Sequence, residues 1–243
     1  MILGEAKVGA GPLVDLDLLP VRHIADFPRQ VAPLGLVASD KGLHVSLSAE
    51  QGKGNQKGVA LVVLADFLQH AQADNARLLK VYPDGFALDA THHPHITMLQ
   101  QFVRTVDLGN VYTAANRILA NEKVTSWNLK AFKYYYIPVP PNGIAGLVVE
   151  PTENLLRLQQ ALLDAVAPFT ERTGTAAAFV SDDGGHDIQQ GLIDYVANFT
   201  TVASGKKFNP HVTIGVAPEA YLNAMLSEPF QAFTFSPVGA SVY

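Results

Sequence analysis

One five-residue pattern occurs twice in this 243-residue chain, as PHITM at residues 94–98 and as PHVTI at residues 210–214. We call these segments the first motif and the second motif. Each begins with a proline and then alternates polar and apolar residues, which predicts a β-strand with one polar and one apolar face. The histidine and the threonine of each motif therefore point to the same side. A single copy is typical of a half-buried strand histidine, whereas two copies in similar surroundings indicate two strands built for one purpose.

The segments around the two motifs predict the same order of elements. After each motif strand we expect a helix and then another strand, and before each motif strand we expect a strand and then a helix. In the first half these predictions cover 43–49 (strand), 59–80 (mostly helix), 95–103 (motif strand), 110–121 (helix) and 127–139 (strand). In the second half they cover 144–149 (strand), 153–166 (helix), 211–216 (motif strand), 218–226 (helix) and 230–235 (strand).

The repeated order predicts an α+β fold with an internal duplication. We expect residues 1–40 to form an extension packed on the body, and residues 41–243 to form one bilobal domain whose lobes meet near residues 140–143, the sequence PPNG. Residues 51–58, QGKGNQKG, are expected to form a flexible basic loop. The sequences outside the motifs are not obviously alike, so the duplication is a prediction about structure.

Composition narrows the classes of function. An apolar fraction of 48% with 16% charged residues is typical of a packed globule and excludes a disordered chain. The net charge of −5 disfavours a binder of long nucleic acid. With no cysteine, the chain has neither a thiol nucleophile nor thiolate-bound zinc. No apolar run predicts a membrane span or leader, so we expect a cytoplasmic monomer, with a previously removed export signal as the open alternative.

The two histidines and two threonines suit chemistry on one phosphate group. A histidine titrates near pH 6.5, so one ring can accept a proton while the other donates one. Thr97 and Thr213 can donate hydrogen bonds to the non-bridging phosphate oxygens. We therefore predict His95 and His211 as the catalytic pair, with no metal and no cofactor. The sequence does not assign acid and base between them.

The doubled His-x-Thr-x pattern in two similar halves resembles the two-histidine (2H) phosphoesterase superfamily, which includes RNA-end cyclic phosphodiesterases and bacterial proteins known as 2'-5' RNA ligases. The resemblance covers residues 41–243 and rests on the two motifs. It implies a bilobal fold in which two antiparallel sheets flank a central cleft, with helices on the outside. It also implies metal-independent hydrolysis of 2',3'-cyclic phosphate ends or related 2'-5' linkages, with His95, Thr97, His211 and Thr213 at the site.

Further candidates come from two aromatic or basic stretches and two polar ones. Tyr134 or Tyr136, which share one face of a predicted strand, are candidates for contacting phosphate or base, as are Lys206 and Phe208 just before the second motif. The run His92-His93-Pro94-His95 suggests a metal cluster, but it has no carboxylate at useful spacing. The polar loop 181–187 is either a lid, an ion site or an ordinary turn.

We therefore expect an enzyme that hydrolyses a cyclic phosphodiester, with a nucleotide or a short RNA end as its substrate. Two alternatives stay open. One is a 2'-5' RNA-end ligase that runs the reaction in the joining direction. The other is a non-catalytic protein that binds phosphorylated nucleotide ends.

Overall fold

The structure, a computed structural model, describes residues 56–63, 66–88, 94–179 and 190–242. The predictions for residues 1–40, for the strand over 43–49, for His92 and His93 and for the loop over 181–187 lie outside this part of the chain. The described residues form helices and antiparallel strands, which confirms the α+β class. In chain order the elements are β1 (Gln56–Val63), α1 (Asp66–Val81), β2 (His95–Val103), α2 (Leu108–Leu119), β3 (Leu129–Val139), β4 (Asn142–Val149), α3 (Glu153–Val166), β5 (Thr170–Glu171), α4 (Gln190–Val202), β6 (His211–Pro218), α5 (Glu219–Leu226), β7 (Phe233–Phe235) and β8 (Pro237–Val242).

The eight strands of the described residues belong to one antiparallel sheet, with the order β7-β3-β4-β6-β2-β1-β8 and with β5 paired to β2. The motif strands β2 and β6 are neighbours at its centre, where Ile96 pairs with Val212. The expectation of two separate sheets is therefore corrected. The sheet is continuous because β2 and β6 pair directly with each other, so the polar faces of the two motifs lie side by side.

The segment predicted to be the hinge between lobes is a hairpin turn. Val139 pairs with Asn142, so β3 and β4 run antiparallel as direct neighbours. The peptide bond between Pro140 and Pro141 in this turn is cis. The two groups of strands that flank the motifs, β7-β3-β4 and β1-β8, are joined through the central pair β6–β2 instead.

Several predicted boundaries change in the structure. Residues 59–63 are strand rather than helix, and 56–58, assigned to a loop, begin that strand. The cause is that a short apolar run, here ending in LVV, fits a buried strand as well as a buried helix. The helix that follows covers 66–81. Near the end of the chain, the strand expected over 230–235 is restricted to 233–235, and the sequence analysis missed β8, which pairs with β1.

One face of the sheet is covered by helices. The apolar residues of both motifs lie on this face and are fully buried against side chains of α1 and α3: Ile96, Met98, Val212 and Ile214 against Phe67, Ala71, Leu78, Leu155, Leu158 and Leu162. Helix α3 is capped at its N-terminus by Thr152, whose hydroxyl accepts a hydrogen bond from the Leu155 amide at 3.3 Å. Within the described residues, every helix is too short or too polar to cross a membrane.

Candidate functional site

The pairing of β2 with β6 brings the polar side chains of the two motifs together. Ile96 lies opposite Val212 in an antiparallel pair, so the register places His95 beside Thr213 and Thr97 beside His211. Residues directly opposite each other on neighbouring antiparallel strands have Cβ atoms about 5 Å apart. The four side chains therefore form a compact square on one face of the sheet, with the two histidines at diagonal corners.

Burial confirms the alternation that the sequence predicts. His95, Thr97, His211 and Thr213 are all partly exposed, whereas the residues between and after them are fully buried on the helix-covered face. The prolines that begin the two motifs are also both buried. The polar set thus lies, partly exposed, on the face of the sheet opposite the packed core.

Hydrogen bonding fixes the ring of His211. Its Nδ1 lies 2.7 Å from the carbonyl oxygen of Asn209, which can only accept, so Nδ1 carries the proton and donates it. The unprotonated nitrogen of the neutral ring is then Nε2. Burial lowers the pKa of His211 below its usual 6.5, and the charge of His95 lowers it further, while the Asn209 carbonyl acts in the opposite direction. A neutral ring with a free Nε2 is the form that accepts a proton.

Tyr135 lies beside His211 on the same face of the sheet. The two ring centroids are 5.3 Å apart, and the side chain of Asn209 acts to lower the pKa of Tyr135. Burial raises the pKa of Tyr135, so the phenol stays protonated. Gly146 lies opposite Tyr135 on β4, where a Cβ would be 3.2 Å from the Val212 carbonyl oxygen and in ordinary van der Waals contact with both rings, at 3.5 and 3.6 Å.

Three solved structures are similar to this chain over most of its length. TT0787 of Thermus thermophilus is 14% identical with a TM-score of 0.46, and covers 77% of this chain and 86% of its own. Usb1 of Kluyveromyces marxianus is 12% identical with a TM-score of 0.42, covering 79% and 97%. Usb1 of the same organism with uridine monophosphate is 13% identical with a TM-score of 0.39, covering 70% and 75%. No family model and no curated protein matches the chain.

Tyr134 and Tyr136 lie on the opposite face from the two histidines. The Tyr134 hydroxyl donates to Asp74 of α1 at 3.4 Å, and the Tyr136 hydroxyl donates to Asn223 of α5 at 2.9 Å. Both partners belong to the helices that cover the apolar face. Tyr134 and Tyr136, the tyrosines predicted to contact substrate, thus lie away from the two histidines, whereas Tyr135 lies beside His211.

Lys206 and Phe208, the two other candidates, differ in exposure. Lys206 is exposed in the turn Gly205–Lys207, which leads into the second motif. Phe208 is only 9% exposed and packs in the main core, so it cannot stack on a base in this structure. Within the described ranges, no three histidine, aspartate or glutamate side chains gather as metal ligands would.

Sequence analysis missed Tyr135, Asn209 and Gly146. Alternation alone shows that Tyr135 faces away from Tyr134, but the face that meets the histidines depends on the register between β3, β4 and β6. Asn209 is two residues before His211, a spacing that could have suggested a contact between its backbone and the ring. Gly146, within a run of apolar strand residues, was a sign that another group approaches the backbone closely.

Proposed function

We propose that this protein is a metal-independent phosphodiesterase of the two-histidine kind, which hydrolyses the 2',3'-cyclic phosphate of a nucleotide or a short RNA end. The observation that carries the proposal is the pairing of Ile96 with Val212, which sets both histidines and both threonines around one small volume. A phosphate group is the natural occupant, since two acid–base groups and two hydroxyl donors match an anion that exchanges protons during reaction.

The environment of His211 supports a role for it as the general base. A lowered pKa and a proton held on Nδ1 leave Nε2 ready to take a proton from an attacking water molecule. His95, at the opposite corner of the square, then donates its proton to the departing ribose oxygen. The new P–O bond forms as the ring P–O bond breaks, and the product is a phosphate monoester beside a free hydroxyl.

Thr97 and Thr213 hold the phosphate between the two rings in this proposal. Each threonine lies beside the histidine of the other motif, so its hydroxyl can donate to a non-bridging oxygen while that histidine handles a bridging oxygen or water. Lys206, exposed in the turn before the second motif, is proposed to attract the anionic substrate. The proposal also includes the internal duplication, in which the strand-helix-motif strand order of β1, α1, β2 corresponds to that of β4, α3, β6.

A substrate panel tests the function. Purified protein is incubated with 2',3'-cyclic nucleotides, 2'-5' dinucleotides and cyclic dinucleotides, with and without a chelator, and products are identified by phosphorus NMR. We expect monoester from the 2',3'-cyclic nucleotides at a rate that the chelator does not change. A double His95→Ala/His211→Ala variant, purified identically, controls for contaminating nucleases.

Other outcomes would contradict this function. Joined product from cleaved RNA halves would favour the ligase, and tight binding of a cyclic nucleotide without product would favour the non-catalytic binder. Loss of turnover with chelator, restored by a divalent metal, would contradict the metal-independent mechanism.

A further inference from the structure

Both motif strands contain a β-bulge at the same position. In β2 the register against β1 skips Met98, and in β6 the register against β4 skips Ile214. Each is the residue directly after the motif threonine. A bulge leaves one residue without its ladder partner and turns the strand locally, so it determines where the neighbouring side chains point.

A buried amide on α3 binds the bulge of the first motif. Gln159 is 1% exposed, and its Nε2 donates to the carbonyl oxygen of Met98 at 3.2 Å. The same nitrogen donates to the carbonyl oxygen of Ala203 at 3.0 Å. Ala203 lies just after α4, in the stretch that leads to the second motif. Gln159 therefore connects the bulge of the first motif to the approach of the second.

A buried amide on α1 does the same for the second motif. Asn75 is 4% exposed, and its Nδ2 donates to the carbonyl oxygens of Ile214 and Phe86, both at 2.9 Å. Its Oδ1 accepts from the Leu88 amide at 3.0 Å. Phe86 and Leu88 lie in the stretch that leads to the first motif. Asn75 therefore connects the bulge of the second motif to the approach of the first.

We propose that Asn75 and Gln159 are an equivalent pair of positioning residues, each of which anchors the bulge of one motif to the segment entering the other. Buried amides cost free energy unless their hydrogen bonds are made, and both of these residues donate twice to carbonyl oxygens. The inference rests on the proposed function, because it assigns each amide the task of aiming the threonine before its bulge at the phosphate.

The side-chain lengths of Asn75 and Gln159 match the residues that follow the two bulges. Asparagine is one methylene shorter than glutamine, so Asn75 needs a closer approach to its strand. The residue after the second bulge is Gly215, at φ +149°, where a Cβ would lie 2.9 Å from Leu78 and 3.2 Å from the Asn75 amide. The residue after the first bulge is Leu99, and the longer side chain of Gln159 reaches the bulge there. Gly215 thus makes room for the shorter amide.

Double-mutant cycles test the pairing, with kcat measured on a 2',3'-cyclic nucleotide. Gln159→Met and Asn75→Leu keep the approximate volume and remove the donor. We expect each to lower kcat by about tenfold or more, because small displacements of a catalytic group are costly. Gln159→Met should lose most of its effect in a Thr97→Val background and keep it in Thr213→Val, and Asn75→Leu should show the reverse.

The control is Gln160→Met, the same substitution at the exposed neighbour of Gln159, whose amide donates to Asp164 on the same helix. It should leave kcat unchanged in both threonine backgrounds. All rates are measured well below the melting temperature, and if Asn75→Leu does not fold, Gln159→Met decides alone. Equal losses in both threonine backgrounds would overturn the positioning role while leaving the proposed function standing. A wild-type protein inactive on every cyclic phosphodiester would overturn both.

Discussion

The first and second motifs share a scaffold but differ in the strands that flank them. Both motifs begin with a buried proline and alternate in the same way. Both carry a bulge after the threonine, and the carbonyl oxygen of the bulged residue accepts a hydrogen bond from a buried amide. Beside the second motif, His211 is bonded to the Asn209 carbonyl and lies against Tyr135 of β3, and burial lowers its pKa. The strands on the other side of the first motif, β1 and β8, contain no aromatic residue.

This difference teaches how a nearly symmetric frame can support an asymmetric reaction. Two interacting histidines release their protons in two coupled steps, and unequal surroundings favour one ring as the base and the other as the acid. Neighbouring groups that separate their pKa values create the division. In this protein the contacts of His211 come from β3 and from the residues before β6, outside the repeated motif itself. The comparison can be tested with variants of the residues that the two motifs share and with variants of the residues around His211.

The largest effect should follow removal of either histidine. His95→Ala and His211→Ala are each expected to lower kcat by a factor on the order of 10² or more with folding intact, because each removes one proton-transfer step. His70→Ala is the matched control, since His70 is exposed on α1, stacked on Phe233. Near-normal turnover in either site variant would rule out a mechanism that needs both rings.

Removal of a threonine hydroxyl should have the next largest effect. Thr97→Val and Thr213→Val keep the β-branched shape of the side chain and lose the donor, so we expect each to lower kcat about 10- to 10²-fold. Because the threonines occupy equivalent positions, their losses should be similar. A large loss at one position and none at the other would show that the shared frame does not hold the phosphate symmetrically.

The lowered pKa of His211 predicts a particular pH dependence. A general base must be deprotonated, so the lowered pKa of His211 should place the acidic limb of the kcat/KM profile below pH 6.5. Tyr135→Ala exposes the ring to water, which weakens the effect of burial and raises that pKa. The acidic limb should move up toward 6.5, with activity lost first at low pH.

Tyr135→Phe is the control for this shift, since it keeps the ring that buries His211. Its acidic limb should move less than that of Tyr135→Ala. If both variants shifted the acidic limb equally, the shift would come from loss of the Tyr135 hydroxyl, which lies near Asn209, rather than from exposure of the His211 ring. An unchanged limb in both would contradict His211 as the base.

The motifs show how far sequence alone could reach. Period-two alternation after a proline predicted the strands and the shared side of each histidine and threonine, because that geometry is local. The bulges at Met98 and Ile214 could not be predicted, since they depend on the register against β1 and β4. The strand over 56–63 was taken partly for helix because its apolar run has no decisive period. The roles of Asn75 and Gln159 required knowledge of which strand each helix crosses.

The smallest effect is expected for the tyrosines on the other face. Tyr134→Phe and Tyr136→Phe remove hydroxyls that bond to α1 and α5, away from both histidines. Their kcat and KM should stay within about twofold of wild type, as for substitutions remote from a site. Tyr136→Phe should lower the free energy of unfolding by about 1 kcal/mol through loss of its bond to Asn223. A raised KM in either variant, with the Tyr135 variants unaffected, would mean that substrate contacts the helix-covered face and that the site is oriented wrongly.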